Sequence, residues 1–145
     1  MKIKDFLLNR GRPVITIKPD ETIHSTIQIL VKNNIGALPV CDNKGTVVGI
    51  ISERDILKGC AGKIASIDKT RVKDIMTKDV VIGTLEDDLS YAATTMAQKG
   101  IRHLPVLDGP KLEGILSARD VVEEELKACQ IEVRYLGDYI SGGYV

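Results

Sequence analysis

Two short stretches of this chain carry the same arrangement of reactive side chains. Ser52-Glu53-Arg54-Asp55 follows an apolar run, and so does Ser117-Ala118-Arg119-Asp120. A serine with an acid three residues later marks a helix start: the hydroxyl accepts a backbone N–H and the carboxylate reaches back toward the cap. Capping explains the serine and the aspartate, but it does not require an arginine at the same place in both stretches. The same residues also suit an anionic sugar ligand. Free N–H groups at a helix N-terminus favour phosphate. Ser52 and Ser117 add hydroxyls, and Arg54 and Arg119 can fork onto phosphate oxygens. Asp55 and Asp120 can each accept from two adjacent hydroxyls, as on ribose. Apolar strand edges can sandwich a flat base. That set specifies a nucleotide.

The elements that position these side chains are themselves duplicated. The tetrads begin 65 residues apart, while Leu38-Pro39-Val40 and Leu104-Pro105-Val106 are 66 residues apart, so the turn between them is one residue shorter in the second copy. An internal repeat fixes architecture before any other signal. Two copies imply a pseudo-two-fold axis, and the cleft between related halves is a natural ligand site. In the first copy, residues 14–17 are β-branched and read as a strand. Pro19 to Thr22 then caps a helix with Ile23, Ile27, Leu30 and Val31 on its apolar face, ending near Asn33-Asn34. Strands follow at 38–41 and 47–51 around the turn at 42–45, and Ser52 opens a helix that Gly59 stops. The second copy has a strand at 80–82 and an acidic helix start at Glu86-Asp87-Asp88. A helix lined by Leu89, Ala93, Met96 and Ala97 follows, with strands at 104–107 and 112–116 and a last helix from Ser117. Each copy is therefore β-α-β-β-α, an α+β fold of two pseudo-symmetric repeats packed through their sheets. The expected boundaries are 1–60 for a lead-in and first repeat, 61–71 for a linker, 72–128 for the second repeat and 129–145 for a helical tail. The whole forms one unit. Short helices are expected around Ile3–Leu8 and Val72–Met76.

Pro39 and Pro105 sit near strand starts and donate no ladder hydrogen bond; neighbouring backbone groups freed by that break can serve a ligand or simply form an edge. The residues before the two triplets differ. Gly36-Ala37 is small and permits close backbone approach, which suits a base. Arg102-His103 is basic and suits phosphate, with His103 expected to be partly charged near neutral pH. The alternative is a solvated basic pair at a helix end. His24 reads as surface. In the tail, Val122, Leu126, Cys129, Val133, Leu136 and Ile140 recur at steps of 4, 3, 4, 3 and 4, one stripe of a helix about 30 Å long. That stripe either packs back on the repeats or makes a dimer contact, and the dimer contact is preferred.

Bulk composition narrows the classes. The 145 residues suffice for a core, and with no Trp and one Phe the core must be aliphatic. Lys plus Arg equals Asp plus Glu at 20 each, which argues against a broad nucleic-acid surface. No apolar run approaches the roughly 20 residues of a membrane span, and Met1–Asp5 leads into no secretory signal. Cys41, Cys60 and Cys129 have no metal-ligand spacing and read as free thiols in a reducing cytoplasm. There is no Gly-rich phosphate loop, metal cluster or nucleophile–base pair, so catalysis is not expected and no catalytic residue or metal ligand is assigned.

The chain resembles a tandem cystathionine-β-synthase-type (CBS) domain pair, also called a Bateman module, over about residues 1–125. The resemblance rests on the duplicated element order, both Leu-Pro-Val strands, both Gly-hydrophobic-hydrophobic-Ser-x-x-Asp endings, and Val72-Lys73-Asp74-Ile75-Met76-Thr77. The lead-in and the Tyr-Leu-x-x-Tyr-Ile-x-Gly tail also resemble small bacterial or archaeal proteins made only of this pair. The resemblance implies an adenosine ligand between the repeats: AMP, ADP, ATP, NAD(H) or S-adenosylmethionine. It assigns the ribose to Asp55 and Asp120, and phosphate contacts to Ser52 and Ser117. Adenine contacts fall to the first strands, through Thr16, Ile17, Ile82 and Thr84. Further contacts come from Gly36, Ala37, Arg102 and His103 and from the strands they precede, at Leu38, Leu104 and Pro105. Arg102 and His103 favour a phosphate-bearing ligand over the positive sulfonium. The resemblance also implies a non-catalytic regulator that signals by conformational or oligomeric change, a homodimer, and an effector protein in trans. The alternative is a partner-binding or dimerisation module without a small ligand.

Overall fold

The computed structural model describes residues 1–62 and 64–140. Its elements run α1 (Ile3–Arg10), α2 (Ile23–Asn33), β1 (Ala37–Cys41), β2 (Val47–Ser52), α3 (Glu53–Gly62), α4 (Val72–Ile75), β3 (Gly83–Thr84), α5 (Leu89–Lys99), β4 (His103–Asp108), β5 (Lys111–Ser117) and α6 (Ala118–Ile140). β1 and β2 form an antiparallel hairpin, and β4 and β5 form its counterpart with β3 added in parallel to β4. The registers repeat: Ala37 faces Ser52 as His103 faces Ser117, and Pro39 faces Ile50 as Pro105 faces Ile115. Both hairpins shift register just after the Leu-Pro-Val valine. In the first turn the Asp42 carboxylate accepts from the N–H groups of Lys44 and Thr46 at 2.9 Å each, and Gly45 supplies a φ of +82° that other residues rarely adopt.

The opening strands are shorter than the sequence suggests. Residues 14–17 reduce to a single parallel bridge, Ile17 to Val40, and the strand expected at 80–82 lies instead at Gly83–Thr84. The prolines explain this. Ile17 N–H donates to Pro39 O at 3.1 Å and Cys41 N–H donates to Ile17 O at 2.9 Å. The next rung of a parallel ladder would need an N–H on Pro39, which has none. Pro105 stands at the equivalent place before β3. The backbone at Thr16 and Ile82 is therefore left outside the sheets.

Each repeat has its own aliphatic core. Ile17, Ile23, Leu30, Leu38, Val40, Ile51 and Ile56 form the first; Leu89, Ala92, Met96, Leu104, Val106, Leu116 and Val121 form the second. The lead-in segments are exchanged. Ile3 and Phe6 of α1 are buried in the second core, and Val72 of α4 is buried in the first. Backbone bonds anchor both: Ile3 N–H to Asp87 O at 2.9 Å, and Val72 N–H to Glu21 O at 2.8 Å. Ile64 and Ile67, within the expected linker, also pack against the first core.

Two helical faces are rotated from expectation. Thr26 is buried on α2 while Val31 is exposed, and Ala92 is buried on α5 while Ala97 is exposed. α6 is one continuous helix, and Val122, Leu126, Cys129 and Leu136 of its stripe are exposed rather than folded back. Val133 and Ile140 lie outside the side chains described, and 141–145 lie outside the described residues. All three cysteines are free, Cys41 buried. Among the described residues no helix is long and apolar enough to cross a membrane.

Candidate functional site

Both tetrads sit where a hairpin strand turns directly into a helix. At the first junction Ser52 N–H donates to Asp55 Oδ2 at 2.9 Å, the Ser52 hydroxyl donates to the same oxygen at 3.0 Å, and Asp55 N–H donates to Ser52 Oγ at 3.2 Å. This reciprocal cap fixes the carboxylate rotamer. The Thr77 hydroxyl, arriving from just beyond α4, donates to Asp55 Oδ1 at 3.1 Å. Its segment is held by a bridge between Thr77 and Ile50.

The second junction repeats the cap but not its surroundings. Ser117 N–H donates to Asp120 Oδ2 at 2.8 Å, and Asp120 N–H donates to Ser117 Oγ at 3.0 Å. Arg10 Nη1 also donates to Asp120 Oδ2 at 3.0 Å, and Arg10 Nη2 donates to Ile115 O at 2.8 Å. The guanidinium stands 5.3 Å from the centre of the Phe6 ring, within cation–π range. The Arg10 and Asp120 side chains are only 16% and 15% exposed. Burial lowers the Arg10 pKa and Asp120 opposes that shift; arginine stays charged regardless. Sequence reading misses Arg10. Its signal is the length of the lead-in: Ile3 to Ile23 spans 20 positions, while the equivalent Val72 to Leu89 spans 17. The extra residues extend α1 toward Asp120.

Between the junctions, the two unlike dipeptides meet across the pseudo-two-fold. A Cβ on Gly36 would stand 3.1 Å from His103 Nε2 and 3.3 Å from Glu53 Oε1, so the glycine makes room for the opposite repeat's imidazole. The backbones match here, with Glu53 N–H on Gly36 O at 2.9 Å and Ala118 N–H on Arg102 O at 2.8 Å. Burial pushes the His103 pKa down, with Glu53 and Asp120 opposing. That shift favours the neutral imidazole over the partly charged form expected from the sequence. Arg102, Arg54 and Arg119 are exposed, and Arg119 Nε pairs with Glu123 at 3.1 Å.

The expected base-contacting residues divide into two groups. Ile17, Ala37, Leu38, Leu104 and Pro105 are buried and belong to the cores. Thr16, Ile82 and Thr84 are exposed, beside the strand edges that the prolines leave open. Thr16 also borders two open depressions. One, of about 410 Å³, runs along α2 past Ser25 and Gln28. The other, of about 560 Å³, lies between the hairpin tips at Lys44 and Lys111. Neither depression is lined by Asp55 or Asp120, so the capped aspartates lie apart from both of these open volumes.

The CBS domain family model matches twice, over residues 3–62 and 72–127. A CBS-domain-containing protein from Agrobacterium tumefaciens superposes with a TM-score of 0.81 at 36% identity, covering 86% of this chain and 99% of that one. The CBS domain pair of protein MJ0100, in complex with 5′-methylthioadenosine and S-adenosyl-L-methionine, gives 0.79 at 29% identity, over 88% and 98%. A CBS domain protein from Pyrobaculum aerophilum complexed with AMP gives 0.74 at 27%, over 83% and 89%. The chain spans 22%, 39% and 65% of the length of three curated relatives it matches. With the duplicated hairpins, the paired capping aspartates and both family matches in register, the chain belongs to the CBS domain family as a tandem pair of CBS repeats.

Proposed function

We propose that the chain is a non-catalytic regulatory module that binds an adenosine-containing nucleotide, AMP, ADP, ATP or NAD(H), in the cleft between its repeats. The observation that carries this is the duplicated Ser–Asp cap, which holds two carboxylates in fixed rotamers at two helix N-termini. An ionised carboxylate has about four acceptor positions. The cap uses some of them, and the rest remain for a vicinal diol. Asp55 and Asp120 would take the ribose hydroxyls. Ser52, Arg54, Ser117, Arg119 and Arg102 would meet phosphate, and His103, half-buried and biased toward its neutral form, would contribute as a hydrogen-bonding group. The open edges at Thr16 and Ile82, with Thr84, Gly36 and the strand backbones at Ile17, Ala37, Leu38, Leu104 and Pro105, would flank the base. The adenosine ligands of the two superposed neighbours support this class of ligand.

A ligand shifts conformation only through unequal affinity for two states. Bridging the repeats at His103 and Gly36 would supply that difference and change their relative angle. Output would pass to an effector protein in trans within the cytoplasm, from a homodimer. The exposed stripe Val122–Leu126–Leu136 favours a second reading, a dimerisation or partner-binding helix that acts without a small ligand. Thermal unfolding of nucleotide-free protein against AMP, ADP, ATP, NAD, NADH and S-adenosylmethionine separates the two. A ligand at 100 times its Kd adds about 2.7 kcal/mol, a shift of several degrees. A selective shift abolished by Asp55→Ala together with Asp120→Ala is expected. No shift with any of them would leave the helix as the functional surface.

A further inference from the structure

We propose that the half-site at Asp120 is the primary nucleotide site and the half-site at Asp55 the weaker one, with Arg10 and Thr77 setting the difference. The proposal rests on the adenosine reading above and ranks its two halves.

The ranking follows from which polar atoms each junction spends on itself. At Asp55 both the acceptor and the donor are spent. The Ser52 hydroxyl donates to Asp55 Oδ2 at 3.0 Å, and the Thr77 hydroxyl donates to Oδ1 at 3.1 Å. A diol reaching this carboxylate must displace Thr77, and a phosphate seeking the Ser52 hydroxyl must draw it away from Asp55. At Asp120 neither atom is spent. Arg10 Nη1 donates to Oδ2 at 3.0 Å, the oxygen equivalent to the one that accepts the serine hydroxyl at the first junction. Ser117 Oγ accepts the Asp120 N–H at 3.0 Å, and its own proton is not drawn onto the carboxylate. Asp120 Oδ1 has no hydrogen-bond partner among the described residues, because both donors to this carboxylate use Oδ2. Nor is Oδ1 sealed off: among the described residues, the buried side-chain polar atom without a partner is Arg10 Nε. A free acceptor for ribose and a free donor for phosphate therefore stand together at the second junction.

The exchanged lead-ins create this difference. Leu7 stands over Gly114 as Met76 stands over Gly49, so α1 and α4 approach their junctions in the same way. α4 ends at Ile75, and the chain beyond it pairs with Ile50, which carries Thr77 to Asp55. α1 instead continues through Arg10 and carries a guanidinium to Asp120. There Nη2 is anchored on Ile115 O at 2.8 Å, so the fork braces the capped oxygen and leaves the other alone. Arg10 is thus a positioning residue that takes over the serine proton's task, and Thr77 is an internal competitor of the diol. Each internal bond to a carboxylate that a ligand must replace lowers affinity, by roughly three- to tenfold for an exposed one.

The test is calorimetric titration of the full chain with adenosine and with AMP. Asp55→Ala removes the first half-site. Asp120→Ala, made together with Arg10→Met so that no lone guanidinium remains, removes the second. The tighter binding event is expected to survive Asp55→Ala and to disappear from the double variant. Thr77→Val keeps the side chain's shape without its hydroxyl. It is expected to strengthen the weaker event by roughly three- to tenfold for adenosine, and it serves if the double variant does not fold. Equal affinities at the two half-sites, or loss of the tighter event in Asp55→Ala, overturns the ranking while leaving the adenosine reading intact. A weaker event that Thr77→Val leaves unchanged or weakens further also overturns it, because Thr77 would then not compete with the diol. Absence of binding by wild type and every variant overturns both.

Discussion

Truncating the two capping aspartates is expected to have unequal consequences, although the sequence presents them as equivalents. Asp55→Ala removes the cap that Ser52 and Asp55 build together, which costs about 1 kcal/mol. It also frees an exposed threonine hydroxyl, which finds water. Asp120→Ala removes the same cap and strips the counterion from Arg10. Exposed ion pairs contribute about 0–1 kcal/mol, and breaking a fully buried one costs about 3–5. With 15–16% exposure the pair lies nearer the buried case, so about 2 kcal/mol is added to the cap. The expected losses are about 1 kcal/mol for Asp55→Ala and about 3 for Asp120→Ala, a difference of roughly 4–8 °C in Tm for a domain of this size. Arg10→Met combined with Asp120→Ala should recover most of the excess, because an apolar side chain fits where a lone guanidinium does not. Scanning calorimetry without nucleotide, repeated at high salt, measures this directly. If the two single variants melt within about a degree or two of each other, the Arg10–Asp120 pair does not stabilise the second junction and the reasoning fails.

Gly49→Ala should cost about 2 kcal/mol and Gly114→Ala less than about 1. A Cβ at Gly49 meets Thr77 O at 2.9 Å, an oxygen tethered by Ile50, whereas at Gly114 it meets only the tip of Leu7 at 3.0 Å. Urea midpoints of the two variants check this. His103 has a folded pKa below its unfolded value, so the unfolded chain takes up the proton first. Its contribution is complete above about pH 6.5 and is lost as pH falls from there toward the folded pKa. His103→Gln should flatten the stability profile below about pH 7, and an unchanged slope would rule the histidine out. Ile3→Ala should cost about 2–4 kcal/mol and weaken hydrogen-exchange protection in β4 and α5 before β1 and α2. Uniform loss across both repeats would contradict the exchanged packing.

Much of this molecule is legible in its sequence because the signals are local. Asp55 and Asp120 lie three residues from their caps, so the sequence spacing alone places them at helix starts. The hairpins follow from Leu-Pro-Val, the turns and the Gly-hydrophobic-hydrophobic run. The opening strands are overread because β-branched residues at 14–17 and 80–82 carry the propensity, while the decisive obstacle is a proline on a partner strand more than twenty residues away. Arg10 stays invisible for a related reason: its partner is 110 positions along the chain, and no periodicity links the two. The burial of Ile17, Leu38 and Leu104 is plain from their types, but whether a β-strand residue offers its side chain or its backbone to a cleft depends on which sheet face the partner covers.

The exchange of lead-in helices bears on how the chain is made. Ile3 and Phe6 leave the ribosome long before the core that receives them, which closes only around Leu104, Leu116 and Val121. The first repeat, by contrast, is complete once Val72 has been translated. The nascent chain thus carries two unsheltered apolar side chains through most of its synthesis, and an already folded half waits between them and their destination. Contacts this distant in sequence slow folding, and exposed apolar segments invite misassembly. Severed between the repeats, each half would keep the helix that seals the other and lack the one that seals itself. The two pieces would therefore find their stability in one another rather than alone.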